Sequence, residues 1–183
     1  MRKLFVLVAV IVAAGFGQGM LVNGDFEQPI DVGWQLDTAG YVFVNRDVAY
    51  HPDGDYELLD SLLYQGRGRV YQIVDVPGPR LLLSFWAKFE IGGGSSTCWP
   101  VAGVTVGYYN DLDILLGETR IYHHNEYCTW LPAGNLSLIE VVNPDWSQYS
   151  LDIADELAQN LPGVDPQQIR KVGISVFDTT AGG

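Results

Sequence analysis

Two cysteines, three histidines and two methionines are all the soft or redox-active side chains in 183 residues. The cysteines form no CxxC, and no His/Cys spacing suits zinc. Basic residues are scarce as well: 10 Lys and Arg stand against 22 Asp and Glu, a formal charge of −12. Such a surface repels nucleic acid and anionic lipid and is compatible with neutral ligands and cations. Catalytic signatures are missing too. There is no GxSxG, no phosphate loop and no Cys–His nucleophile pattern. His123 and His124, followed by Glu126, do not make HExxH, and neighbours on a strand point to opposite faces. These absences predict a protein that is not an enzyme.

One long apolar run is present, from Leu4 to Ala14. Met1, Arg2 and Lys3 precede it, and small residues follow through Gly19. That order predicts a signal peptide over 1–19 and a single domain over 20–183. The run is short for a bilayer span; the alternatives are an N-terminal anchor or a buried strand. The mature part is then expected to be secreted or at the cell surface, without membrane insertion. Without Arg2 and Lys3 it carries 8 basic and 22 acidic residues, or −14. Export predicts a disulfide between Cys98 and Cys128, two free thiols being the alternative.

The remainder reads as short β-type runs parted by turns. "GYVFVN" is apolar and β-branched, and "HPDGDY" is a turn. "RVYQIVDV" alternates, with Val70, Gln72, Val74 and Val76 on one face. "LLLSFWAKF" puts Leu81, Leu83, Phe85, Ala87 and Phe89 together and Leu82, Ser84, Trp86 and Lys88 opposite. "VAGVTVGYY" and "ILLGETRIYHH" form a strand pair around "NDLD". "NLSLIEVV", "WSQYSLDI" and "KVGISVFDT" are further strands, the last setting Val172, Ile174 and Val176 against Gly173, Ser175 and Phe177. Only "ADELAQNLP" carries a helix signal, ended by Pro162 and Gly163. The expected fold is all-β: a jelly-roll β-sandwich of two antiparallel sheets.

"LVNGDFE" followed by "GW" resembles the opening of carbohydrate-binding modules of the CenC type, which are galactose-binding-like jelly rolls. "VYQIVDVPGPRLLLSFWAKF", "WSQYSLDI" and "KVGISVFD" continue the likeness in the family's order. The opening stretch would then be the first strand and first corner, with Phe26 and Trp34 in the core. The family closes with one more strand; here "TTAGG" stands where it should begin, so either the closing strand is lacking or the sandwich closes differently. Structural calcium is also implied by the resemblance, with Glu27 as the best side-chain ligand and Asp25 as a weaker one.

The resemblance implies a secreted, non-catalytic module that binds a neutral polysaccharide or cell-surface glycan. Rigid aromatic rings suit the apolar face of a sugar, and amides or charged groups take its hydroxyls. Trp99 and Trp130 each lie next to a cysteine, in the stretch that matches nothing specific. With Tyr109 and Tyr122 they are the candidate stacking residues, and Tyr127 belongs to the same region. Gln72, Arg69 and Arg120 are candidate hydroxyl partners. The alternative is a structural or adhesive β-sandwich of an extracellular protein, in which these aromatics only pack.

Overall fold

The computed structural model describes residues 5–11, 20–49, 54–143 and 145–181. Its strands are β1 (Phe5–Ile11), β2 (Gln35–Asp47), β3 (Glu57–Asp75), β4 (Leu82–Glu90), β5 (Trp99–Tyr109), β6 (Leu115–His124), β7 (Leu136–Glu140), β8 (Ser147–Asp152) and β9 (Lys171–Ala181). One α-helix, α1 (Ile153–Asn160), follows β8. All strand pairs are antiparallel except β6–β7. The fold is an all-β sandwich, as the strand pattern predicts. Among the described residues no helix is long and apolar enough to cross a membrane.

β3 builds both layers. Its first part pairs with β1 through Leu58–Asp60, and its second part pairs with β9 through Arg67–Asp75. β4 and β8 extend from β1, whereas β5, β6 and β7 extend from β9. β2 runs beside β3 along both parts, with a register shift between Gly40 and Val42. The shift lies at a crease where two backbones touch. A Cβ on Gly40 would stand 2.4 Å from the Gln65 carbonyl oxygen, and one on Gly66 would stand 2.3 Å from that of Ala39. No side chain fits at either place, so the ribbon bends where only glycine allows the approach.

The core follows the strand period of two. Leu83, Phe85, Ala87 and Phe89 of β4 are buried against Val104, Val106 and Tyr108 of β5 and Val172, Ile174 and Val176 of β9. Full burial of each such side chain contributes about 1.5–3 kcal/mol. α1 closes one end. The Asp152 carboxylate caps it by accepting from the amides of Ala154 and Asp155, and Ile153 and Leu157 are buried. Glu156 is also buried, but partnered: it accepts from Thr119 Oγ1 at 3.0 Å and from Asn160 Nδ2 at 2.7 Å.

The opening stretch corrects one expectation. Residues 20–34 contain turns and bends and no strand. Asn23 and Phe26 adopt φ of 51° and 57°, which no extended strand allows. The Asn23 side chain fixes the turn, accepting from the Gln28 amide at 2.8 Å and donating to the carbonyls of Gln28 and Pro29. Phe26 and Trp34 are nevertheless core residues, 0% and 3% exposed, with ring centroids 5.1 Å apart. Left-handed backbone costs Phe26 roughly 1–2 kcal/mol, and burial of its ring offsets that.

Two further expectations meet the structure at the chain's ends and thiols. Residues 5–11 of the expected leader form β1, hydrogen-bonded between β3 and β4. The expected cleavage region before residue 20 lies outside the described residues, as does most of the "HPDGDY" turn. The disulfide is corrected: Cys98 and Cys128 are both free thiols. Each is fixed in its own local turn, Cys98 paired with Ser95 and Cys128 bonded to the Asn125 carbonyl. Burial raises the Cys128 thiol above its ordinary pKa, which disfavours the thiolate.

Beside the crease lie two carboxylates with no solvent. Asp60 of β3 and Asp178 of β9 are both 0% exposed, and none of their four oxygens has a well-aligned hydrogen-bond partner. One oxygen of each lies within 2.6 Å of the point where a Cβ on Gly68 would stand, so the two groups share one pocket. Burial first, then the Asp178 charge, pushes Asp60 up to about 9. Burial raises Asp178 to about 7, offset in part by the Gly68 amide. The pair therefore holds a proton at neutral pH, and it titrates as a unit. The folded chain binds protons that the unfolded chain releases near pH 4. This part of the stability is complete below that pH and is lost as pH rises through about 7 to 9. Asp60→Asn removes one ionisation while keeping the shape. In thermal melts between pH 5 and 9, its melting temperature relative to the parent chain should rise with pH.

Candidate functional site

Every second residue of the β3–β9–β5–β6 layer turns away from the core. The rows across this outer face follow from register. Asp37, Arg69, Phe177, Gly103 and Tyr122 form one row; Gln35, Tyr71, Ser175, Thr105 and Arg120 form the next. A cavity of about 310 Å³ opens on this face, at the lower end of the range for small-molecule sites. Arg67, Arg69, Tyr109, Glu118, Arg120, Trp130 and Phe177 all line it.

The rings lie against glycines. A Cβ on Gly103 would stand 2.9 Å from the Phe177 ring. Cβ atoms on Gly107 or Gly173 would stand 2.8 Å from the Tyr109 ring. Tyr109 reaches this position by the ordinary alternation of β5: Val104, Val106 and Tyr108 face the core, and Thr105, Gly107 and Tyr109 face outward. Without the three glycines, both rings would be lifted off the sheet and the hollow would fill.

Trp130 forms one wall. It comes from the loop between β6 and β7 and is half-buried. Its ring centroid lies 5.2 Å from that of Tyr122 and 6.2 Å from those of Phe177 and Trp99. The Arg120 guanidinium sits 4.5 Å above it, within cation–π range, and pairs with Glu118. Four groups thus hold one indole in place while leaving part of it open to the cavity.

The sequence candidates separate accordingly. Trp130 and Tyr109 meet in the cavity, with Arg69 and Arg120. Trp99 and Tyr122 are buried beneath Trp130 as its support. Tyr127 is exposed outside the cavity lining. Gln72 lies on the core side of β3 and clamps the opening segment. Its Oε1 accepts from the Val22 amide at 2.8 Å, and its Nε2 donates to the Val22 carbonyl at 2.9 Å. Phe177 and Arg67 are additional lining residues. The sequence did signal Phe177: it is the lone aromatic on the off-core parity of β9, beside Gly173 and Ser175.

Asp25 and Glu27 lie in the turn before β2. Glu27 Oε1 accepts from the Tyr56 amide at 3.0 Å, and Asp25 Oδ1 accepts from the Glu27 amide at 3.3 Å. Arg46 Nη1 donates to the Phe26 carbonyl at 2.7 Å, so a fixed cation already occupies the turn. Calcium takes six to eight oxygens. Among the described residues no three His, Cys, Asp or Glu side chains converge to hold a metal.

No family model matches the chain, and no curated protein matches it. Among solved structures it is similar to the tailspike protein 4 enzymatically active domain of bacteriophage CBA120, with 18% identity and a TM-score of 0.48. The likeness covers 90% of this chain and 20% of that one, so the chain spans a fifth of that structure's length. The expectation that the protein is not an enzyme is corrected here, because the similar structure is described as enzymatically active. A likeness of that strength assigns no reaction and no residue role to this chain.

Because Tyr109 rests on Gly107 and Gly173, Gly173→Ala should displace the ring while sparing the hydrophobic core. The expected outcome is a loss of about 1–3 kcal/mol of stability with an altered near-ultraviolet circular dichroism signal. Gly78→Ala, where a Cβ would meet nothing within 4 Å, should change neither.

Proposed function

We propose that the outer face of the β3–β9–β5–β6 layer is a saccharide-binding site. The observation that carries this reading is the grouping of Trp130, Phe177 and Tyr109 around one cavity with three arginines and the acidic side chains of Asp37, Glu118 and the buried Asp178. A pyranose ring has an apolar C–H face and an equator of hydroxyls. Fixed aromatic planes match the first, and charged hydrogen-bonding groups at the rim match the second. The rings need no reordering to bind, because the glycines beneath and the stacked groups around them set their positions. The resemblance of the opening, central and closing stretches to CenC-type carbohydrate-binding modules supports the same reading, and so does the sandwich fold. In this reading the chain is exported, and the glycan is extracellular.

Affinity electrophoresis in gels containing soluble polysaccharides, both neutral and acidic, tests the site. Retardation by at least one polymer is expected. Trp130→Ala should weaken it about tenfold or more, while Trp86→Ala, on the other layer, leaves it unchanged. A chain that no polymer retards has no saccharide site on this face.

A further inference from the structure

The cavity gathers charge as well as rings. Three of the chain's seven arginines line it, on a protein whose net charge is −12. Two of the three are neutralised within the cavity. Arg67 Nη2 lies 3.4 Å from Asp37 Oδ1, and Arg120 pairs with Glu118.

Arg69 differs. It stands in the floor of the sheet, between Asp37 of β2 and Phe177 of β9 in the strand pairing. Its cross-strand neighbour Asp37 is engaged with Arg67. The guanidinium carbon of Arg69 lies 4.7 Å from the Tyr71 ring centroid. Among the described residues Arg69 makes no ion pair. It is half-buried, so water hydrates it only in part. Asp178, which also borders the cavity, is fully buried with its Oδ1 beside that of Asp60 at Gly68, and among the described residues it forms no ion pair with Arg69. A guanidinium steadied by an aromatic face has its donors unspent and its fork pre-set. The group that completes such a fork is a planar carboxylate, bound through two parallel hydrogen bonds.

We infer that the saccharide bound here is acidic: a polymer of sugars bearing a ring carboxylate, with that carboxylate on Arg69 and the ring against Trp130 and Phe177. This rests on the saccharide reading above and replaces the neutral glycan expected from the sequence. A neutral sugar leaves the Arg69 charge without a counter-ion as water is displaced from around it, which costs binding energy. The overall negative charge of the protein sharpens the selection. A net charge of −12 repels polyanions on the whole, so retention by one points to a local site rather than to a general attraction.

The test compares polygalacturonate, polymannuronate and hyaluronate with the same polymers after reduction of their carboxyl groups, and adds dextran sulfate. At least one polyuronate should retard the protein about tenfold more strongly than its reduced form. Arg69→Gln should abolish that difference with an unchanged melting temperature. Arg69→Lys, which keeps the charge without the fork, should restore only part of it. Equal retention by a polyuronate and its reduced form overturns the inference. So does retention by neutral polymers alone, or retention by dextran sulfate as strong as by the polyuronate. Each of these leaves a saccharide site in place. Absence of retention by every polymer, neutral ones included, overturns both readings.

Discussion

Because β3 pairs with β1 through Leu58–Asp60 and with β9 through Arg67–Asp75, neither layer takes shape without fixing the other. The constraint is concentrated at the crease around Gly40 and Gly66, where backbone meets backbone at distances that exclude a Cβ. Asp60 and Asp178 lie beside that crease and fill the space that Gly68 leaves. A buried carboxylate pair is a costly way to fill space. It persists here at the place where the strand passes from one layer to the other, and the proton it holds makes the junction tolerable. The site depends on the same passage, since Arg67 and Arg69 begin the second part of β3 and carry two of the cavity's three guanidinium groups.

The cavity is a product of local backbone detail imposed on a regular sheet. A flat antiparallel face offers ridges of side chains and no hollow. Gly103, Gly107 and Gly173 remove side chains from adjoining positions of β5 and β9, and the ring of Tyr109, on the outward parity of β5, lies over Gly107 and Gly173. Trp130 then stands over the hollow from its loop, with Trp99 and Tyr122 beneath it and Arg120 above. Fixed rings around a void make a surface ready to receive a flat ligand without prior rearrangement.

Much of the fold was legible because it rests on alternation. The period of two in "LLLSFWAKF" and "KVGISVFDT" assigns the same inward residues that the structure buries. At residues 20–34 the turn at Asn23 and Gly24 was legible from its residue types, but the strand expected around it was not there. The left-handed backbone of Phe26 has no signal in residue type, and burial of its ring decides the outcome. Gln72 shows the limit at the site. Its polarity suggests a ligand, yet the parity of β3 turns it inward to hold Val22. Phe177 is the converse case, an aromatic on the off-core parity that sequence reasoning left unassigned. The cysteine expectation rested on compartment chemistry, which carries no information about where two loops come to rest.

The alternation also separates two kinds of change along one strand. Val172, Ile174, Val176 and Asp178 of β9 answer to the interior, whereas Ser175, Phe177 and Thr179 answer to the cavity. A substitution at Phe177 or Thr179 alters what the surface touches and leaves the core face of the strand as it is. If the cavity binds saccharide as proposed, its preference can therefore drift over many generations with little loss of foldability, and two descendants with the same backbone can come to recognise different polymers.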